Sequence, residues 1–306
     1  MAQTPLLPRS EAARSGGGYG ELMSDSAPFT PDDLDAYFRR IGWDGQGGAP
    51  SADVATLKAV HLAHARAIPF ENLDPVRGTA PSLAPADLIA KLVGSRRGGY
   101  CYEHNTLFAG VLEALGFGVT RLGARVVVGA ERFEDRPRTH MALLVEIPGE
   151  QRPYLADVGF GAPGALLEPL PLTPDTEFRA VGRRHRLVHA PHRGPLELWV
   201  LETRAAGDRA PWQAQYAFTL EPFEHPDFEV INWHIATNPR SPFSSRPYAQ
   251  RVTPDRHLLL DGALLTETRT DGTVTERELT RDAEVREVLA QDFGIDVPDD
   301  GTDLLP

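Results

Sequence analysis

One segment gathers most of the residues able to do chemistry. Arg97-Gly98-Gly99-Tyr100-Cys101-Tyr102-Glu103-His104-Asn105 sets the chain's single cysteine directly after two glycines. Leu107, Phe108, Val111, Leu112 and Leu115 follow at helical spacing and Gly116 closes the run, so a helix is predicted to start near Cys101. A thiol there meets unpaired backbone N–H groups and the positive end of the helix dipole. Both favour a thiolate, and the same N–H groups suit an oxyanion forming on an attacked carbonyl. A small hydrophobe packed under a Gly-Gly turn is the competing reading, and the residues alone leave the two level. A lone cysteine does exclude an intramolecular disulfide and any multi-cysteine zinc site.

A nucleophilic cysteine needs a base, and the base needs an orienting group. His140 opens an apolar strand over Met141–Ile147. Pro148-Gly149-Glu150-Gln151 then turns, and a second strand is predicted over Tyr154–Val158, with Asp157 near its end. With the loop centred near Gly149 and Glu150, His140 falls opposite position 158 or 159. Neighbouring strands lie about 4.8 Å apart, so Asp157 is within reach of His140. Reach follows from the register, but side-chain face does not, because one bulge reverses the parity. Alone, His140 reads as a strand-end histidine and Asp157 as a turn-capping residue.

Other patterns carry less. Gly159-Phe160-Gly161-Ala162-Pro163-Gly164 has the spacing of a dinucleotide loop, but Pro163, Pro169 and Pro171 break the helix that would have to follow. His185, His189 and His192 sit among Arg183, Arg184, Arg186 and Arg193, which reads as a solvated basic surface loop rather than a metal site. His61 and His64, one helical turn apart, read as helix surface or core. No metal is expected, and no Walker loop, HExxH or G-x-S-x-G occurs.

The elements that must position these residues change character along the 306-residue chain. Residues 1–27 are polar, small and aperiodic, and read as a disordered extension. Thr30-Pro31-Asp32-Asp33 is a helix start, and Gly42 ends that helix. Further helices are expected over Ser51–Ala67 and Pro85–Val93, before the one at Cys101. After Gly116 the pattern turns to strands: Val126–Val128, the His140 hairpin, Leu196–Leu201, Ala217–Leu220, Arg256–Leu260 and a Thr266–Leu279 hairpin turning at Asp271-Gly272. A final helix is expected over Asp282–Phe293. Helices first and strands after imply an α+β fold. A net charge of −12 argues against nucleic-acid binding. No run approaches the roughly 18 apolar residues of a membrane helix, and the start lacks a signal-peptide pattern. A cytoplasmic protein is expected. A homodimer is left open.

Taken together, the blocks resemble the arylamine N-acetyltransferases. The Arg97–Asn105 segment resembles that family's nucleophile block. Ile68-Pro69-Phe70-Glu71-Asn72-Leu73 is similar to the block upstream of it, and Thr139-His140 and Asp157-Val158-Gly159-Phe160-Gly161 to its histidine and aspartate blocks. Phe228-Glu229-Val230-Ile231-Asn232-Trp233 and Asp292-Phe293-Gly294-Ile295 resemble later segments, so the likeness covers about residues 32–296. The resemblance implies a papain- and transglutaminase-like fold in three parts: a helical bundle with the nucleophile over 28–120, a β-barrel with the histidine and aspartate over 121–220, and an α/β lid over 221–306. It implies ping-pong acetyl transfer from acetyl-CoA to a primary arylamine or arylhydrazine, with Cys101, His140 and Asp157 catalytic. Carried over by position, Phe70 and Phe160 line the acyl and arylamine pocket, Thr139 and Gly159 lie near the pantetheine arm, and Asn232 and Trp233 lie toward the nucleotide end of CoA. A homologous amide synthase, closing a macrolactam from a carrier-bound polyketide acyl group, needs the same triad and is the alternative. A hydrolase and a non-enzymatic binding module stand behind it.

Overall fold

The Thr30 hydroxyl accepts the Asp33 N–H at 3.2 Å and the Asp33 carboxylate accepts the Thr30 N–H at 2.9 Å, a reciprocal cap that fixes where the helical part begins. The computed structural model describes residues 29–45, 50–180, 183–204, 210–253, 255–269, 271–298 and 303–305. The extension expected over residues 1–27 lies outside them. Helix α1 (Pro31–Ile41) ends on Gly42 at φ 66°. Helix α2 (Val54–Ala67) starts later than Ser51, because Asp53 is its N-cap and accepts the Thr56 N–H at 2.8 Å. A two-residue strand β1 (Phe70–Glu71) and short helices α3 (Leu73–Val76) and α4 (Pro85–Leu88) follow, α4 running into a π-helical turn over Ile89–Val93. Helix α5 (Cys101–Ala114) then carries the cysteine at its first position, and Gly116 beyond it takes φ 91°. The bundle core of Tyr37, Leu57, Leu92, Phe108 and Leu112 continues without a break into Met141 and Val145 of the adjoining sheet.

Eight antiparallel strands form a nearly closed barrel: β2 (Gly118–Val126), β3 (Arg138–Glu146), β4 (Tyr154–Ala156), β5 (Leu170–Pro171), β6 (Glu177–Ala180), β7 (Arg183–Ala190), β8 (Leu198–Arg204) and β9 (Gln213–Pro222). Their order is β5-β4-β3-β2-β9-β8-β7-β6. Three expectations are corrected here. The strand placed at Val126–Val128 lies instead over Gly118–Val126, where Arg121, Gly123 and Arg125 dilute the apolar signal. The supposed basic surface loop is largely strand β7. In it His185 is buried and donates through Nε2 to the Gly164 carbonyl at 3.0 Å, while Arg184 and Arg186 pair across strands with Glu177 and Glu202. Finally, β4 stops at Ala156, so Asp157 stands just past the strand rather than inside it. The hairpin register is the one expected: Leu143 faces Ala156 and Val145 faces Tyr154.

The last third starts with helix α6 (His225–Thr237) and a short α7 (Pro242–Ser245). Strands β10 (Tyr248–Val252), β11 (Arg256–Asp261), β12 (Leu264–Arg269) and β13 (Val274–Glu278) follow, then helix α8 (Asp282–Val288) with a π-helical turn over Leu289–Phe293. The sheet order is β1-β10-β11-β12-β13, so its edge strand is Phe70–Glu71 from the helical part, Phe70 facing Gln250. Asn72 strengthens the join. Its Nδ2 donates to the Phe243 and Arg246 carbonyls at 2.8 Å each, and its Oδ1 accepts the Tyr248 N–H at 2.6 Å. Leu73 packs into the core of this part beside Leu258, Leu260, Val285 and Phe293. Among the described residues no helix is long and apolar enough to cross a membrane.

Candidate active site

The approach to Cys101 is packed too closely for any residue but glycine. A Cβ on Gly98 would meet the Pro69 carbonyl oxygen at 1.8 Å, and one on Gly99 would meet the Glu103 carboxyl at 2.7 Å. Around this turn five charged side chains interlock. Arg97 donates to Glu71 Oε1 and Asp74 Oδ1 at 2.7 Å each, and Lys91 Nζ donates to Asp74 Oδ2 and Glu103 Oε1 at 2.5 Å each. Glu103 Oε2 in turn accepts the Tyr100 N–H at 3.1 Å and so fixes the residue before Cys101. Burial pushes the Glu103 carboxyl up to about 7 against the pull of Lys91. Asp74 feels the same penalty less, and Lys91 and Arg97 hold it below the ordinary carboxylate range.

His140 and Asp157 meet from β3 and the end of β4. The His140 Nε2–H donates to Asp157 Oδ2 at 2.7 Å, with both side chains buried. Burial by itself would lower the imidazole, but the Asp157 charge and hydrogen bond, and then Cys101, raise it to about 10. Asp157 is held below its ordinary value by the same pair. Since Nε2 is engaged, Nδ1 is the ring nitrogen left for the thiol. The β3–β4 register, which runs without a slip, decides the open question of side-chain face: with Leu143 opposite Ala156, His140 and Asp157 have the same parity. Ala124 faces His140 and Arg125 faces Arg138, which leaves Thr139 without a partner, and the Cys101 thiol donates to the Thr139 carbonyl at 3.9 Å. Thus the structure brings Cys101, His140 and Asp157 together.

Asn105, one turn along α5 from the cysteine, has a role that sequence reasoning missed. Its Nδ2 donates to the Met141 carbonyl at 2.7 Å and to Asp157 Oδ1 at 2.9 Å, and its Oδ1 accepts the Val158 N–H at 3.1 Å. Its place in the motif at helical spacing from Cys101 was the available signal. His61 and His64 are core, not surface. The Tyr37 hydroxyl donates to His64 Nδ1 at 2.8 Å, His64 Nε2–H to His104 Nδ1 at 2.9 Å, and His104 Nε2–H to the Pro69 carbonyl at 3.2 Å. A carbonyl at the end of this chain sets every tautomer in it. Burial lowers His64 well below its ordinary value and His104 to about 4, so both rings are neutral.

The other expected site residues divide into two groups. Gly159 lies so near Cys101 that a Cβ would stand 2.8 Å from the Cys101 Cα. The Phe160 ring sits 5.2 Å from His140 and 5.1 Å from Tyr216. Phe70 lies parallel to His104 with ring centroids 6.3 Å apart, and a Cβ on Gly161 would strike its ring at 2.5 Å. These residues gather around the relay. Asn232 and Trp233 do not join them. Asn232 is buried, its Oδ1 accepting the Tyr100 hydroxyl and its Nδ2 donating to the Pro81 carbonyl at 2.8 Å, so both ends of the amide are engaged within the protein. Trp233 is 63% exposed on α6.

A helical bundle presenting a thiol to an imidazole and carboxylate on an antiparallel barrel is the papain- and transglutaminase-like arrangement, and it makes this α+β chain one of the Cys-His-Asp class. The comparisons with known proteins narrow the class. The N-acetyltransferase family profile matches residues 53–302. The arylamine N-acetyltransferase of Mycolicibacterium smegmatis is 41% identical over 271 residues, covering 87% of this chain and 93% of that protein. The crystal structure of the Nocardia farcinica arylamine N-acetyltransferase superposes with a TM-score of 0.78 at 43% identity, over 87% of this chain and 90% of that one. The Mycobacterium marinum arylamine N-acetyltransferase in complex with CoA superposes at 0.77 and 38% identity, over 86% and 93%. The chain belongs to the arylamine N-acetyltransferase family and is an acyltransferase.

Proposed function

We propose that the chain moves the acetyl group of acetyl-CoA to primary arylamines and arylhydrazines in two half-reactions, through a thioester on Cys101. In the first, His140 holds the proton taken from the thiol while the Cys101 sulfur attacks the acetyl carbonyl. The oxyanion forms toward the free N–H groups at the start of α5. Collapse breaks the bond to the CoA sulfur, which leaves with the proton from His140. In the second, a neutral amine attacks the acetyl-Cys101 carbonyl, His140 accepts the amine proton, and the Cys101 sulfur leaves. Asp157 fixes the ring with Nδ1 toward the sulfur and balances the charge on the imidazolium.

The observation that carries this reading is the relay itself: His140 Nε2 2.7 Å from Asp157, its other nitrogen left for a cysteine at a helix start. The CoA bound by the Mycobacterium marinum relative supports the donor, and the relatives' names support the acceptor. On this reading Phe160 and Phe70 wall the slot for a flat acceptor, while Thr139 and Gly159 flank the pantetheine arm. Of Asn232 and Trp233, the exposed Trp233 is the one free to face the nucleotide end. The macrolactam-forming alternative is not favoured, since the relatives compared are arylamine N-acetyltransferases.

Intact-protein mass after incubation with acetyl-CoA alone tests the proposal. One acetyl group mapped to Cys101, and discharged by 4-aminosalicylate or isoniazid, is the expected result. An enzyme that forms no adduct, or whose adduct amines do not discharge, would sink it.

A further inference from the structure

We infer that His61 is a positioning residue of this relay: its neutral imidazole accepts the main-chain N–H of Asp157 and thereby fixes the carboxylate against His140. The inference rests on the Cys101–His140–Asp157 relay proposed above. It starts from a gap in the barrel. Ladder pairing between β3 and β4 ends at Leu143 and Ala156, so the Asp157 N–H is the first one past the last strand pair. It is also deep in the protein, where a donor without an acceptor is costly. The acceptor is a side chain from the other half of the fold. His61 on α2 is fully buried, and its Nε2 receives the Asp157 N–H at 3.2 Å.

This bond fixes the state of the ring. A main-chain N–H only donates, so Nε2 carries a lone pair and the ring proton sits on Nδ1, where the Leu167 main chain favours it. A charged ring would set N–H against N–H. Burial holds His61 down to about 4 in spite of the Asp157 carboxylate nearby. Phe108 meets the ring edge-on, with centroids 5.7 Å apart, and sets its plane. The bundle therefore holds Asp157 twice. Asn105 takes the carboxylate, and His61 takes the main chain on which the carboxylate is mounted.

The test uses the full chain with His61→Leu, which removes the acceptor, and His61→Gln, which returns a carbonyl oxygen. The readout is the rate of Cys101 alkylation by iodoacetamide as a function of pH, beside the unfolding temperature. Alkylation reports on the thiol and imidazole with no acyl donor present, so its result is separable from the acetyl-transfer proposal. H61L is expected to alkylate about tenfold more slowly near pH 7, over a narrower pH range, and H61Q to recover most of that loss. Both variants alkylating with the wild-type rate and profile, whatever their unfolding temperatures, would overturn the inference. Should H61L not fold, nitrogen NMR of the wild-type histidines decides. An unprotonated Nε2 on His61 at pH 7 supports the inference, and a protonated one overturns it.

Discussion

Asp157→Asn keeps the shape of the side chain and removes its charge. In the wild type the carboxylate takes three donors: His140 Nε2–H at 2.7 Å, Asn105 Nδ2 at 2.9 Å and the Gly159 N–H at 3.0 Å. An asparagine with its one oxygen toward Asn105 and Gly159 turns its NH₂ on His140. Nε2 must then accept, and the ring proton moves to Nδ1, the nitrogen that should receive the thiol's proton. The magnitude follows from His140, held at about 10 against an ordinary 6.5. That separation is worth about 5 kcal/mol at 1.36 kcal/mol per tenfold. With the largest opposing charge gone, burial outweighs the smaller pull of Cys101, and the ring is neutral at pH 7. The same change in Ser-His-Asp triads costs about 10⁴ in turnover. Acylation by acetyl-CoA, followed by rapid mixing as CoA release, is expected to fall by about 10³ to 10⁴. The pH dependence of stability supplies a second check. Because His140 is raised in the folded state, its contribution is whole below pH 6.5 and is lost as pH rises through about 10. Asp157 is lowered, so its contribution is whole above 3.8 and is lost on acidification. Hence the stability difference between wild type and D157N is greatest between these limits and shrinks toward pH 10. Acylation within about tenfold of wild type, or a stability difference flat from pH 6 to 10, would refute the reasoning.

Three further outcomes are expected. Cys101→Ala folds as the wild type does, because the side chain is small and buried, but gains no acetyl mass on incubation with acetyl-CoA; an acetylated C101A ends the mechanism. Gly159→Ala sets a methyl 2.8 Å from the Cys101 Cα and 2.9 Å from Asn105 Nδ2, so acylation should drop at least about tenfold as the loop moves away, measured by the same CoA release. Lys91→Met strips the buried Glu103 of its cation and raises that carboxyl further above 7; it should cost about 3–5 kcal/mol in urea unfolding at alkaline pH, easing as pH falls toward 7 because Glu103 in the variant takes up its proton before the wild type does.

Features whose cause is local were readable in the sequence. Thr30 caps its own helix, Gly116 ends α5, and the loop around Gly149 sets the hairpin register, all within a few residues of chain. The placement of Cys101 at a helix start followed in the same way. The face of His140 did not, because a single bulge would reverse it and nothing in the residues marks the β3–β4 ladder as unbroken. Helix α6 escaped because Val230 and Trp233 stand exposed among its apolar residues and blur the stripe. Asn105 and His61 escaped for a different reason. Each is defined by what it touches 52 and 96 residues further along, and no local pattern encodes such a pairing.

The seam between Phe70–Glu71 and β10 has a consequence for the order in which the protein is made. Glu71 holds Arg97 four residues before Cys101, and its own strand is completed only by Tyr248–Val252. A ribosome has therefore synthesised the bundle and the whole barrel before the last partner of the cysteine's turn exists. The thiol is assembled into its full surroundings late in synthesis, and a nascent chain cut short between residues 157 and 248 carries Cys101, His140 and Asp157 but not the strand that completes Phe70–Glu71.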